Sequence, residues 1–128
     1  MLEKHMVVTR HFNNVYDDGV ATGFRLGVRI PYYRGVWLAV ISRFELTVDG
    51  DAFAPDTLRV AYKGEEYSME ELAVAETVHW DFGDVLTLIA PKAGGLDPGL
   101  HRVELALTLL PAFTTIVGRT ERALTLVQ

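Results

Sequence analysis

Hydrophobic and polar residues alternate through several segments of this chain, and a period of two is typical of a β-strand with one buried face. The clearest segment is GFRLGVRI at residues 23–30, where Phe24, Leu26, Val28 and Ile30 alternate with glycine and arginine. The same alternation, or a short apolar run, predicts further strands over residues 5–12, 44–50, 58–62, 85–90, 101–109 and 123–128. Seven or eight strands within 128 residues predict an all-β fold.

Turn residues separate these strands. Asp17-Asp18-Gly19, Asp49-Gly50, Lys63-Gly64 and the glycine-rich stretch 94–99 all suit tight reversals, and Asp49-Gly50 is the strongest hairpin signal. Ser68 and Glu71 have the spacing of a capping box, which predicts one short helix near residues 68–73. We therefore predict an antiparallel β-sandwich of jelly-roll or immunoglobulin-like type, with residues 1–128 forming a single domain.

Composition excludes several classes of function. The chain has no cysteine, so it has no disulfide or zinc-thiolate site, and a reducing compartment, the cytoplasm, is expected. The formal charge of −5 argues against binding to nucleic acid. The longest apolar run, VWLAVI at 36–41, is too short to cross a bilayer, and the first residues do not resemble a signal peptide.

Residues that could carry out catalysis are scarce. No nucleophile motif or phosphate-binding loop is present, and among the four histidines only His79 has a candidate co-ligand, Asp81, on the same strand face. His5 or His11 could complete a metal site with His79 and Asp81 only if the fold brings them together. Trp80 and Phe82 are expected to pack together in the core, and the acid pairs at 65–66 and 70–71 to be solvated. We predict no catalytic residue and no metal ligand on this chain.

The segment RIPYYRGVW at residues 29–37 is unusual for its aromatic and arginine content. Counting in twos from Ile30 places Tyr32 on the core face, and Arg29, Pro31 and Tyr33 on the outer face with Gly23 and Gly27. Because glycine has no side chain, these two positions are expected to let another protein approach the outer face closely. Pro31 has no N–H for a ladder, so the chain should leave the sheet there. Because tyrosine and arginine are enriched at protein interfaces, we predict a partner interface made of Arg29, Pro31, Tyr32, Tyr33 and Arg34. The alternative is an aromatic corner that packs on its own sheet.

Several segments resemble a known family: GFRLGVRIPYYRG, FELTVDG, GGLDPGLHRVELALTL and the ends MLEK and RALTL, of which GVRIPYYRG is the most specific. On these segments the chain resembles the small β subunit of bacterial C-glycoside deglycosidases. The resemblance implies a β-sandwich subunit without a complete active site, partnered by a larger α subunit. That α subunit is expected to be a TIM barrel similar to sugar-phosphate isomerases, with a divalent metal, manganese, and a histidine base. RIPYYRG is expected to dock against the α subunit and to help shape or close the mouth of the barrel. The complex is expected to cleave the C–C bond between a 3-keto sugar and its aglycone.

Two other functions compete with this one. A stand-alone carbohydrate-binding module would use Tyr32, Tyr33 and Trp37 to stack on sugar rings. A metal-dependent cupin-like enzyme would need a histidine-rich ligand set, which the sequence does not make visible.

Overall fold

The structure is a computed structural model that describes residues 5–111 and 114–127. The last residue of the predicted strand at 123–128, Gln128, therefore lies outside the described residues. Residues 1–4, which include the MLEK segment, lie outside them too. Within the described ranges the chain forms eleven strands and one α-helix: β1 (Val7–Asp17), β2 (Val20–Val28), β3 (Val36–Trp37), β4 (Ile41–Val48), β5 (Asp51–Phe53), β6 (Arg59–Tyr62), β7 (Glu65–Ser68), α1 (Met69–Ala73), β8 (His79–Trp80), β9 (Leu86–Pro91), β10 (Gly99–Leu109) and β11 (Ile116–Leu126).

Two antiparallel sheets face each other across one shared core. One has the strand order β1-β2-β9-β6-β7, the other β11-β10-β4-β5, and β3 pairs with β8 as a separate two-residue ribbon. The rings of Phe24 on β2 and Phe53 on β5 meet edge to face at 5.3 Å, so side chains of the two sheets interdigitate. Alternate residues of β2, β4 and β10 are buried, as the period of two predicts. The predicted antiparallel all-β sandwich is confirmed.

Three hairpins have two-residue turns with positive φ at both positions. The turns are Asp18-Gly19, Asp49-Gly50 and Lys63-Gly64, with φ between 50° and 87°. This backbone matches the twist of the flanking strands, and glycine adopts it without steric cost. The predicted turns, including the Asp49-Gly50 hairpin between β4 and β5, are confirmed.

The predicted helix is confirmed as α1, which is a single five-residue element with a complete capping box. The Ser68 hydroxyl accepts the Glu71 N–H at 3.1 Å, and the Glu71 carboxylate accepts the Ser68 N–H at 2.8 Å. These bonds lower the pKa of the Glu71 carboxyl. No helix in the described ranges is long and apolar enough to span a membrane.

Several elements differ from the prediction. The seven predicted strands correspond to β1, β2, β4, β6, β9, β10 and β11, while β7 and the short strands β3 and β5 were not predicted. The strand assumed around His79 and Asp81 is shorter than expected, because β8 spans only His79–Trp80. Strand β2 ends at Val28 rather than Ile30. Strand β1 contains a bulge, because Val8 pairs with Gly27 while Phe12 pairs with Leu26, leaving residues 9–11 unpaired.

The strand registers define two ends of the sandwich. The hairpin turns at 18–19 and 49–50 and the loop 92–98 lie at one end, which we call the aspartate end. The segment 29–35, the turn at 63–64 and the loop 81–85 lie at the other, which we call the aromatic end. The candidate functional site is at the aromatic end.

Candidate functional site

Segment 29–35 leaves the sheet after β2 and is partly buried and partly exposed. Ile30 is 4% exposed, whereas Tyr33 is 63% exposed and Arg34 is also exposed. Pro31 is buried, so its predicted place on the outer face is wrong. Its ring packs against Gly118 on β11, where an added Cβ would stand only 2.5 Å from the Pro31 Cβ and Cγ. Counting in twos fails here because side chains alternate between two faces only while the chain remains an extended strand.

Tyr32, Tyr33 and Arg34 form a stacked cluster that we call the ridge. The two tyrosine rings are tilted with centroids 4.4 Å apart, and the Arg34 guanidinium lies 5.0 Å from the Tyr33 ring centroid. Arg34 also donates a 3.3 Å hydrogen bond to the Tyr33 hydroxyl. The hydrogen bond from Tyr32, and then the Arg34 cation, lower the pKa of Tyr33, while the same bond raises the pKa of Tyr32. Tyr32 is half-buried and packs against the core, while Tyr33 and Arg34 are exposed and held by contacts within the ridge.

The two predicted outer-face glycines do not serve a partner. Gly23 is approached by the carbonyl oxygen of Ala90, and an added Cβ on Gly27 would lie 2.8 Å from the His11 Cβ. Both glycines are buried. The close approach that they permit is therefore made by the chain itself, and the expectation that they open a face to another protein is wrong.

His79 and Asp81, which sequence parity placed on one face, do come together. The His79 Nδ1 and the Asp81 Oδ1 lie 2.7 Å apart, and Lys63 donates to the other carboxylate oxygen of Asp81 at 3.3 Å. The hydrogen bond from His79, followed by that from Lys63, lowers the pKa of the Asp81 carboxyl. The Asp81 N–H donates to the Tyr62 hydroxyl at 3.0 Å, which fixes the backbone beneath the pair.

Trp80 and Phe82 have different environments, so the prediction that both belong to the core is half correct. Trp80 is fully buried, and its indole N–H donates to the Asp84 carbonyl at 3.1 Å. Phe82 is 55% exposed and lies beside His5, Arg29 and Ile30. The strand β8 ends at Trp80, so the alternation that would have turned Phe82 inward stops before it.

A groove runs from the ridge to His79. Its lining includes Tyr32, Arg34, Gly35, Trp37 and His79, and its volume is about 290 Å³. Trp37 is 49% exposed, and its ring meets the His79 ring edge to face at 4.9 Å. Sequence reasoning did not pair these two residues, since a two-residue ribbon such as β3–β8 leaves no periodic signal.

A larger depression of about 470 Å³ lies on the outer face of the sheet that contains β4, β10 and β11. Its charged lining includes Glu45, Glu104, Glu121 and Arg119, and none of the described residues that line it is aromatic. Arg102 forms an ion pair with Glu121 at one side of it. We regard it as a solvated sheet face.

Charge is distributed unevenly between the two ends. The aspartate end carries five exposed aspartates: Asp17, Asp18, Asp49, Asp51 and Asp97. At the aromatic end, neither Arg29 nor Arg34 has a carboxylate oxygen within 4.0 Å among the described residues. By contrast, Arg59 binds both Glu66 and Glu71.

The remaining candidate ligands are dispersed. Within residues 5–111 and 114–127, no three histidine, aspartate or glutamate side chains are placed to hold a metal ion together. The acid pairs Glu65-Glu66 and Glu70-Glu71 are exposed, as predicted. His101 lies at the aspartate end, between Asp49 and the Asp97 carbonyl oxygen, each 2.6 Å from a ring nitrogen.

Comparison with known proteins gives consistent matches. Residues 2–113 match the sequence model of the family described as C-glycoside deglycosidase beta subunit. A protein of that name from Eubacterium cellulosolvens is 35% identical over 101 residues, which are 78% of this chain and 69% of the relative. The 3'-dehydrocarminate deglycosidase beta subunit of a Microbacterium species is 32% identical over 107 residues, or 82% of this chain and 80% of the relative. A C-glycoside deglycosidase beta subunit from Arthrobacter globiformis is 31% identical over 88 residues, or 68% of this chain and 67% of the relative.

Proposed function

The chain belongs to the C-glycoside deglycosidase beta subunit family, and from this premise we propose that it is a non-catalytic subunit that docks onto a larger α subunit through the ridge. We propose that the α subunit is a TIM barrel resembling sugar-phosphate isomerases, and that the complex works in the cytoplasm. The exposed and preordered ridge, on a chain with few groups suited to catalysis, is the observation that carries this proposal.

The chemistry we propose for the complex is cleavage of the C–C bond between a 3-keto sugar and its aglycone, a lyase reaction. A ketone at C3 acidifies the proton at C2, so a base on the α subunit removes that proton and the aglycone leaves by elimination. The divalent metal, manganese, would be held by the α subunit and would stabilise negative charge on oxygen. Because the described residues of the present chain do not converge as metal ligands, we assign them no step in this reaction.

Burial, stacking and charge all support the ridge as the docking element. Ile30 and Pro31 anchor it in the core, while Tyr33 and Arg34 remain exposed. Since the ridge side chains already stack on one another, docking would cost less side-chain entropy than ordering free side chains. The guanidinium groups of Arg29 and Arg34 have no carboxylate partner among the described residues. Carboxylates on the α subunit would form ion pairs with them on docking.

The test is binding of the α subunit to a Tyr33→Ala/Arg34→Ala variant. Central interface residues of these types each contribute about 2 kcal/mol, so losing both should raise the dissociation constant roughly 1,000-fold. Tyr16→Ala is the matched control, because Tyr16 is also an exposed tyrosine, at 52%, but lies toward the aspartate end. Equal affinities for the wild-type chain and the double variant, measured by calorimetry, would refute docking through the ridge.

A further inference from the structure

The His79 side chain is held by several contacts although it is partly exposed to solvent. Its side chain is 40% exposed, yet its Nδ1 lies 2.7 Å from Asp81, and its ring contacts both Trp37 and Gly35. Asp81 is in turn held by Lys63 and by the Tyr62 hydroxyl. Docking through the ridge does not require this arrangement. An exposed imidazole held by a second layer of contacts is typical of a group positioned to bind something.

The position of Asp81 determines what His79 can offer. The Asp81 pKa is lowered, chiefly by the hydrogen bond from His79, so the carboxylate is ionised and can only accept. The proton of a neutral His79 ring therefore resides on Nδ1, and Nε2 carries the free lone pair. Nε2 lies on the side of Gly35, where an added Cβ would stand 3.2 Å away. Both residues line the groove, so the groove contains a fixed hydrogen-bond acceptor.

The other groups in the groove suit a flat or puckered ring. The half-exposed Trp37 indole gives a large apolar contact surface, and the exposed Arg34 supplies N–H donors beside it. A volume of about 290 Å³ is close to the lower limit of roughly 300 Å³ for small-molecule pockets. That space accommodates one ring of six atoms with its substituents but not a chain of several rings.

We propose that this groove binds a single hydroxylated six-membered ring. The ring packs on Trp37, donates one hydroxyl hydrogen to Nε2 of His79 and accepts a hydrogen bond from Arg34. Both a sugar and a phenol have this chemistry. The site goes beyond the proposed docking function, because it lies on this chain alone and extends past the ridge to Trp37 and His79. Tyr32 and Arg34 belong to both the ridge and the groove.

The experiment titrates single-ring probes with the purified full chain and detects their binding by ligand-observed NMR. Methyl glucoside and phloroglucinol represent the sugar and phenol sources, and the trimethyl ether of phloroglucinol has the same ring without a hydroxyl hydrogen. A single ring should bind with a roughly millimolar dissociation constant. We expect at least one hydroxylated probe to bind and the trimethyl ether to bind about fivefold more weakly than phloroglucinol, for the loss of about 1 kcal/mol.

Variants separate His79 from general surface effects. His79→Ala should weaken binding of the hydroxylated probe about fivefold, and Asp81→Asn about threefold, because the ring is then free to turn. His11→Ala is the control for an exposed histidine outside the groove. Asp51→Asn is the control for Asp81→Asn, because Asp51 is an exposed aspartate at the aspartate end, away from the groove. Both controls should leave the affinity unchanged. Should His79→Ala fail to fold, the Asp81→Asn and Asp51→Asn comparison decides.

Failure of this proposal is distinguishable from failure of ridge docking. No binding of either hydroxylated probe, binding of phloroglucinol that its trimethyl ether equals, or an affinity for the bound probe that Asp81→Asn leaves unchanged would each overturn the ring site. Loss of α subunit binding in the Tyr33→Ala/Arg34→Ala variant is measured separately and does not depend on the ring probes. Methyl glucoside binding alone identifies a sugar as the source, and phloroglucinol binding alone identifies a phenol.

Discussion

The aspartate end and the aromatic end of the sandwich differ in how much aromatic surface they expose. At the aspartate end, the buried amide of Asn14 makes two 2.9 Å hydrogen bonds to the backbone of Leu96, and His101 joins Asp49 to the Asp97 carbonyl. The aromatic end has hydrogen bonds of its own around Asp81, but there Tyr33, Trp37 and Phe82 are also about half exposed or more. Both ends are held by the chain's own hydrogen bonds, and the aromatic end also presents a group of exposed aromatic rings.

This difference indicates which end is available to another molecule. Hydrogen bonds that already pair loop with sheet leave little to gain from a partner. Exposed aromatic surface gains from burial, and Arg29 and Arg34, which have no carboxylate partner among the described residues, gain from pairing with one. Stability and binding should therefore respond to different substitutions. Changes at the aspartate end should affect the free energy of unfolding, and changes at the aromatic end should affect docking.

The largest loss of stability is expected for Asn14→Ala. The substitution leaves the N–H and C=O of Leu96 unpaired in a buried position, at a cost of about 3 kcal/mol. Urea unfolding should show this loss, while the dissociation constant for the α subunit at a temperature where the variant is folded should match the wild-type value.

Asn13→Ala is the matched control for this prediction. Asn13 is the preceding residue, but its side chain accepts a hydrogen bond from exposed Arg25 rather than a buried backbone bond. Its loss should cost less than about 1 kcal/mol. A similar free energy of unfolding for the two variants would contradict the assigned role of Asn14.

Gly118→Ala should affect both the free energy of unfolding and the docking of the α subunit. The added methyl group would stand 2.5 Å from the Pro31 ring, so Pro31 must shift and carry the ridge with it. We expect a loss of about 2 kcal/mol in the free energy of unfolding and a roughly tenfold weaker complex with the α subunit.

A double-mutant cycle tests the cause of this effect. Pro31→Ala removes the Cγ, one of the two ring atoms that the new methyl group would meet, and frees the backbone to shift, so in the Gly118→Ala background it should restore part of the lost stability. If the two substitutions are strictly additive, the Pro31–Gly118 contact does not link the core to the ridge.

The sequence predicts the aspartate end better than the aromatic end for a physical reason. Strand alternation and the Asp-Gly turns depend on local geometry, so each can be read from a few adjacent residues. The positions of Pro31 and Phe82 were wrong because both lie just beyond strands, where alternation no longer applies. The contact between Trp37 and His79 joins residues 42 positions apart, and no local pattern signals it.

Salt should weaken the complex with the α subunit moderately. If carboxylates of the α subunit pair with Arg29 and Arg34, raising the ionic strength screens them, and the affinity should fall several-fold between about 0.05 and 0.5 M salt. Arg34→Gln should reduce this salt dependence. Arg102→Gln, which removes an arginine paired with Glu121, should not. An affinity independent of salt in the wild-type complex would contradict pairing with carboxylates.

The smallest effect is a pH dependence of stability at the aspartate end. Burial alone would lower the pKa of His101, but the hydrogen bonds to the Asp97 carbonyl and the Asp49 carboxylate outweigh it and raise that pKa. Both ring nitrogens face acceptors, and the edge of Phe12 covers the ring. Protonation of His101 is therefore favoured in the folded chain.

The sign of the effect follows from this shift. A pKa that is higher in the folded chain contributes stability that is complete below about pH 6.5, the unfolded value, and is lost as the pH rises through the folded value. Since the Asp49 carboxylate is half exposed, the loss should be under about 1 kcal/mol. Urea unfolding measured as the pH is raised from below about 6.5 should show this loss of stability in the wild-type chain and a smaller loss in Asp49→Asn. Docking of the α subunit should show no matching change in this variant, because Asp49 lies at the far end of the sandwich from the ridge.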